Sequence, residues 1–338
     1  PHSATAAARK YWIQALCPFI AAVMVACRPM RTEPEVLAPW VLGVSWLVAA
    51  GALPGALAAA AAAQGAASAV GGCHWIGISL PVDRQVWALV NQPDINFAST
   101  AAATGYWLGS LLLPLLAAAV ALPLLPRRQS LLAELVVVHW VWSAAVVAGA
   151  WLPLIDMDDG HLSRWLALNG WPPLAAWTAP LAAAAVALLP AMRVLQLARR
   201  RRPQLSRGWR ISLVVFHLVA PTGCWIAVAI LARGVVPYRS LGGVAIVVTA
   251  ALASAWWRFP APHAQTLRRP STAGIAGVAT LAVAMILAVW FSGRPMGGSS
   301  AGLLWSAPQA TNNIRPWIET RPIVVATWSK EPAEPPGE

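Results

Sequence analysis

The sequence predicts an all-α fold, a polytopic transmembrane helical bundle of about eight spans, and three observations carry that prediction. Hydrophobic residues make up 58% of the 338 and charged residues 11%, where a soluble domain has roughly 45–50% and 25%. The apolar residues fall in blocks of about twenty, the length that crosses ~30 Å of hydrocarbon at ~1.5 Å per helical residue. Those blocks lack the strict alternation of apolar and polar residues that marks the strands of a membrane β-barrel.

The expected spans are Tyr11–Cys27, Val36–Ala63, Ala101–Leu125, Leu131–Leu154, Pro172–Met192, Ile211–Ala232, Leu241–Trp257 and Thr272–Phe291. They form a transmembrane domain, 1–291, followed by an extramembrane tail, 292–338. Pro54 lies in the middle of the second span, where it either kinks one helix or splits it. The first apolar block has no small-residue cleavage site ahead of polar sequence, so it does not read as a signal peptide. No tandem repeat of solenoid period is visible. Gly51-x-x-x-Gly55, Gly105-x-x-x-Gly109 and the alanine runs offer small-residue faces on which helices approach closely.

Orientation follows from the basic residues. One set of connections holds 14 of the 24 Lys and Arg, among them Arg127, Arg128, Arg193, Arg199 to Arg202, Arg207, Arg210 and Arg268, against three of the 12 acids. Positive-inside bias places that set in the cytoplasm. The Gln64–Thr100 loop and the C-terminal tail then lie outside, in what reads as a bacterial-type inner (plasma) membrane. Arg9 and Lys10 fit an alternative in which the first block does not cross, leaving seven spans and a cytoplasmic N-terminus.

The net charge of +12 does not signal nucleic-acid binding, because no groove-reading or base-stacking element accompanies the basic cluster. The Arg199–Arg202 run with Arg207 and Arg210 abuts a span. It reads as a topology determinant in contact with the lipid bilayer and its anionic head groups. The four cysteines, Cys17, Cys27, Cys73 and Cys224, contain no C-x-x-C and are expected to be buried as small apolar residues. Of the 20 tryptophans, Trp12, Trp107, Trp151, Trp171, Trp257 and Trp290 fall near span ends, where an indole bridges lipid and water. Trp140, Trp142 and Trp225 lie deeper, and each needs a partner for its N–H or a cavity.

Ionisable residues inside spans are the main functional pointers, since each is costly unless paired. Glu134 and His139 fall in the fourth span and His217 in the sixth. The two histidines sit at similar depth in one leaflet, roughly 13 and 10 Å from the edge at ~1.5 Å per residue. Facing each other, they would either hydrogen-bond neighbouring helices or hold haem b, a metal or a quinone carbonyl. The outer segment Asp156-Met157-Asp158-Asp159-Gly160-His161 offers Asp156, Asp158, Asp159 and His161 as metal ligands. It lacks the spacing and closing Glu of a calcium loop, and reads mainly as solvated.

Ala58–Ala69, Val70-Gly71-Gly72, Ile76-Gly77-Ile78-Ser79 and Ala103-Thr104-Gly105-Tyr106-Trp107-Leu108-Gly109-Ser110-Leu111-Leu112 together resemble part of a site-2-protease-type membrane metallopeptidase. The resemblance covers about a sixth of the chain. It implies a helix, a Gly-Gly turn, a strand-like stretch and a Gly-containing span, with Asp159-Gly160 at the place of the later D-G motif. The H-E-x-x-H zinc motif is absent, its place near Ala59–Ala63 being all alanine, so the resemblance implies a scaffold without its metal. No G-x-S-x-G, Walker A or dinucleotide fingerprint appears, and the only lysines, Lys10 and Lys330, are terminal.

The sequence therefore reads as a non-catalytic integral membrane protein, a subunit or accessory component of a membrane complex with membrane-protein partners. The alternatives are an electron-transfer subunit binding haem b or quinone through His139 and His217, a transporter, and a degenerate site-2-protease-like protein. The tail carries apolar patches at Leu303-Leu304-Trp305, Trp317-Ile318 and Ile323–Trp328. It is expected to dock either on a partner or on the protein's own outer loops.

Overall fold

A computed structural model describes residues 39–70, 74–78, 88–91, 130–150, 178–199, 204–233, 238–257, 270–292 and 305–306, with isolated residues at 108–120, 170 and 268. Helix dominates. In chain order the helices are α1 (Pro39–Val70), α2 (Leu131–Ala150), α3 (Thr178–Arg199), α4 (Arg207–Val214), a π-helical turn (Val215–Val219), α5 (Ala220–Arg233), α6 (Tyr238–Ala253) with a 3₁₀ turn (Ser254–Trp256), and α7 (Thr272–Ser292). Four stretches are long and apolar enough to cross a membrane: Pro39–Ala67, Leu131–Gly149, Leu181–Arg199 and Arg207–Ala227. Leu241–Trp256 and Thr272–Leu287 are shorter apolar helices. The expected spans Tyr11–Cys27 and most of Ala101–Leu125 lie outside the described residues.

Pro54 does not split its helix. α1 runs through it for 32 residues, about 48 Å at ~1.5 Å per residue, longer than the hydrocarbon it would cross. Pro190 likewise lies inside α3. Both prolines leave one upstream carbonyl without its helical donor, which α-helices in apolar bundles tolerate when neighbours compensate.

The core is built around α2, which packs against α1, α3 and α6, while α7 packs on α1. One cluster joins Ala56 and Ala60 of α1, Val138, Trp142 and Ala145 of α2, Ala187 and Leu195 of α3, Leu218 of the π turn and Val247 of α6. A second joins Val41, Val44 and Leu47 of α1 to Leu131 and Leu135 of α2 and Ile275 of α7. Alanine at so many contacts lets backbones come close, and Gly149 shows how close. A Cβ there would lie 2.8 Å from Val247 Cγ2 and 3.0 Å from the Gly243 carbonyl oxygen. A side chain at 149 would push α2 off α6.

The contacts also fix relative direction. Val41 and Val44 early in α1 cluster with Leu131 and Leu135 early in α2, and Ala56 and Ala60 further along α1 with Trp142 and Ala145 further along α2, so these two helices run the same way. Gly149 at the end of α2 meets Gly243 near the start of α6, so that pair runs oppositely. The start of α2, the end of α3, the start of α4 and the end of α6 thus gather at one end of the bundle. That end carries Arg199, Arg207 and Arg210, as the distribution of basic residues requires.

The bundle is helical as expected, and one short sheet is added to it. A small antiparallel sheet, β1 (His74–Ile78), β2 (Ala88–Asn91) and β3 (Trp305–Ser306), lies in the order β2-β1-β3. β1 and β2 form a hairpin with a bulge between Trp75 and Gly77, and β3 pairs Gly77 with Ser306 and Ile78 with Trp305. Trp305 and Ser306 therefore lie beside the strand that follows α1. The cysteine expectation is corrected where it can be compared: Cys224 is exposed on the outside of α5, not buried.

Candidate functional site

The site begins with a helix that cannot stay regular. Pro221 has no N–H, so it cannot donate to the carbonyl of His217 four residues earlier. The helix widens ahead of it into the π turn Val215–Val219, in which the Ala220 N–H reaches back five residues to the Val215 carbonyl. That leaves Phe216 short of a donor. Its usual partner, the Ala220 N–H, is engaged one residue back, and the next residue is Pro221 itself. The indole Nε1 of Trp46 on α1 supplies the missing bond, donating to the Phe216 carbonyl at 2.8 Å. A proline and a tryptophan 175 positions apart in sequence thus dock the π turn on α1.

Docking there turns His217 into the bundle, where it is 2% exposed. Its Nδ1 lies 2.8 Å from the hydroxyl oxygen of Ser45 on α1. The same hydroxyl lies 2.7 Å from Nε2 of His139 on α2. Ser45 and His139 are buried as well, at 0% and 1%. Three helical segments meet at one hydroxyl. Counting from their first residues, Ser45, His139 and His217 lie about 9, 12 and 15 Å along their helices at ~1.5 Å per residue, so all three sit at similar depth.

A hydroxyl has one proton to give, so it donates to one imidazole and accepts from the other. The Nδ1 atom of His139 is buried without a hydrogen-bond partner. An unpartnered lone pair is cheaper there than an unpartnered N–H. The network therefore assigns the His139 Nε2–H as donor to Ser45, and the Ser45 hydroxyl as donor to His217 Nδ1.

Two further polar contacts flank this chain. Trp142, one turn after His139 on α2, donates from Nε1 to the Thr222 hydroxyl at 2.7 Å, and Thr222 donates to the Leu218 carbonyl at 3.0 Å. This supplies the partner that a deep tryptophan needs. Five residues before His139, Glu134 receives a two-pronged ion pair from Arg193 on α3, with Nη2 at 2.6 Å from Oε1 and Nε at 2.9 Å from Oε2. Glu134 is 1% exposed and the Arg193 side chain 12%. The planar fork of arginine matches both carboxylate oxygens at once.

The structure brings His139 and His217 together, which their similar depth allows but does not require, and places Ser45 between them. Sequence reasoning missed Ser45, Trp46, Thr222 and the Glu134–Arg193 pairing. A serine in a span carries no signal by itself, and Arg193 reads from sequence only as one charge in a topology count. Asp156, Asp158, Asp159 and His161 lie outside the described residues. Among the described residues, no group of three or more His, Cys, Asp or Glu side chains is placed to hold a metal ion.

Fold and site together define a class: a helical bundle with several membrane-length apolar helices and a buried polar chain across three of them. No protein family, curated protein or solved structure matches the chain.

Proposed function

We propose that this chain is a non-catalytic integral membrane protein of a bacterial-type inner membrane, serving as a subunit or accessory component of a membrane complex. One observation carries the reading. The buried polar side chains of the site are spent largely on one another across helix pairs, in His139–Ser45–His217, Glu134–Arg193 and Trp142–Thr222. Polar groups used this way hold helices in register and select one packing, since in an apolar surround each must find its partner or remain unsatisfied. α7 adds to the case. It lies on α1 and leaves Gly277, Thr280, Leu281, Ala284 and Leu287 exposed along its length, a face suited to a further helix. Mild extraction from native membranes tests the reading. The chain should migrate with at least one stoichiometric membrane-protein partner; migration alone at undiminished stability would contradict it.

A second reading has its own observation, the unpartnered Nδ1 of buried His139. In an electron-transfer subunit that nitrogen, a lone pair in the tautomer assigned above, would accept from a quinol hydroxyl. Haem b is less well served, because an iron ligated by both imidazoles would need the position that the Ser45 hydroxyl occupies. A Soret band in purified protein, removed by His217→Ala, would favour haem. Co-purified quinone lost in His139→Phe would favour the quinone.

A further inference from the structure

The start of α4 and the end of α6 meet at the basic end of the bundle, and residues from both build one patch. Ser206 caps α4, accepting from the Trp209 N–H, so the helix begins sharply there. Arg207, the first helical residue, lies with its guanidinium carbon 4.9 Å from the centroid of the Trp256 ring. Arg210, one turn on, donates from Nη1 to the Trp257 carbonyl at 3.1 Å. That bond ties α4 to the extended residue that ends the 3₁₀ turn after α6. Three indoles belong to the same two segments, each about half exposed: Trp209 at 53%, Trp256 at 49% and Trp257 at 51%.

We propose that this patch is a binding site for the head group of an anionic phospholipid. Stacking on Trp256 uses one flat face of Arg207 and leaves its in-plane N–H fork available for an oxyanion, the geometry that suits phosphate. The patch lies where a membrane-length stretch, Arg207–Ala227, begins, which is the level of the phosphates in a bilayer. Half-exposed indoles at that level place their rings against acyl chains and their N–H groups in the head-group layer. Soluble phosphate would satisfy the arginines and leave the three rings in water. A lipid satisfies both. Two basic residues next to an anionic surface attract it more strongly than they attract a zwitterionic one, and the pairing weakens with salt.

This inference rests on the membrane reading proposed above, and the test separates the two. The full chain is reconstituted in nanodiscs of phosphatidylcholine with one fifth phosphatidylglycerol, and retained lipids are counted by native mass spectrometry. Wild-type protein should retain phosphatidylglycerol well beyond its share of the bilayer. Arg207→Gln should lower that retention about fivefold, and Arg207→Gln with Arg210→Gln by more, at about fivefold for each arginine. Arg207→Gln removes an exposed side chain, so its unfolding temperature should match the wild type and show that the bundle is intact. Millimolar inorganic phosphate should not compete. Failure of the chain to enter nanodiscs would overturn the membrane reading and the lipid site together. Entry with no preference for phosphatidylglycerol, retention unchanged in the double variant, or displacement by inorganic phosphate would overturn the lipid site alone.

Discussion

α2 and α7 are nearly indistinguishable by hydropathy, yet they live in different surroundings. α2 is buried along most of its length and carries Glu134, His139 and Trp142, each bonded to a different helical segment. α7 carries no ionisable residue, touches the bundle along one side, and has open space beside Gly277. Apolar content takes a helix into a membrane, whatever it faces there. The few polar residues decide which helices sit at the centre, because each drags its helix toward a partner. Small residues then set how near the neighbours come.

That contrast can be broken at its strongest point first. Glu134→Ala or Arg193→Ala each leaves a buried charge without its partner, and unfolding in detergent should show a loss of about 3–5 kcal/mol. At Gly149, an alanine would meet Val247 and the Gly243 carbonyl, and the forced separation of α2 from α6 should cost about 1–3 kcal/mol. Ser45→Ala would leave two imidazole nitrogens facing an apolar methyl, at about 1–3 kcal/mol by the same unfolding measurement. Gly277→Ala on α7 should go the other way. Its Cβ meets nothing, so the gain in helix propensity of about 0.5–1 kcal/mol should appear as a slightly higher unfolding temperature. If Gly149→Ala and Gly277→Ala behaved alike, the distinction between the two helices would fail.

The described helices were legible in the sequence because a span is a long, one-dimensional signal. The expected Leu131–Leu154 and Thr272–Phe291 became Leu131–Ala150 and Thr272–Ser292. Both expected starts, Leu131 and Thr272, coincide with the observed ones. The short strands were harder. β1 and β2 are five and four residues, and pairing to Trp305–Ser306 more than 200 positions away leaves no local trace. The site was half legible. His139 and His217 stood out because imidazoles are rare in spans, and their depths matched. Ser45 did not stand out, because serine is common in packed membrane helices and becomes informative only when two histidines flank it. Pro221 reads from sequence only as a proline within a span. Its consequence, a π turn that presents His217 and frees a carbonyl for Trp46, depends on hydrogen-bond bookkeeping that requires coordinates.

The central claim is that buried polar pairs, and not hydropathy, fix the arrangement of this bundle. A double-mutant cycle at Glu134 and Arg193, read by unfolding in one detergent, tests it most directly. Glu134→Leu and Arg193→Leu should each destabilise by about 3–5 kcal/mol, while the double variant, with no charge left stranded, should recover most of that loss. Single variants that each cost less than about 1 kcal/mol, or losses that simply add in the double variant, would contradict the account.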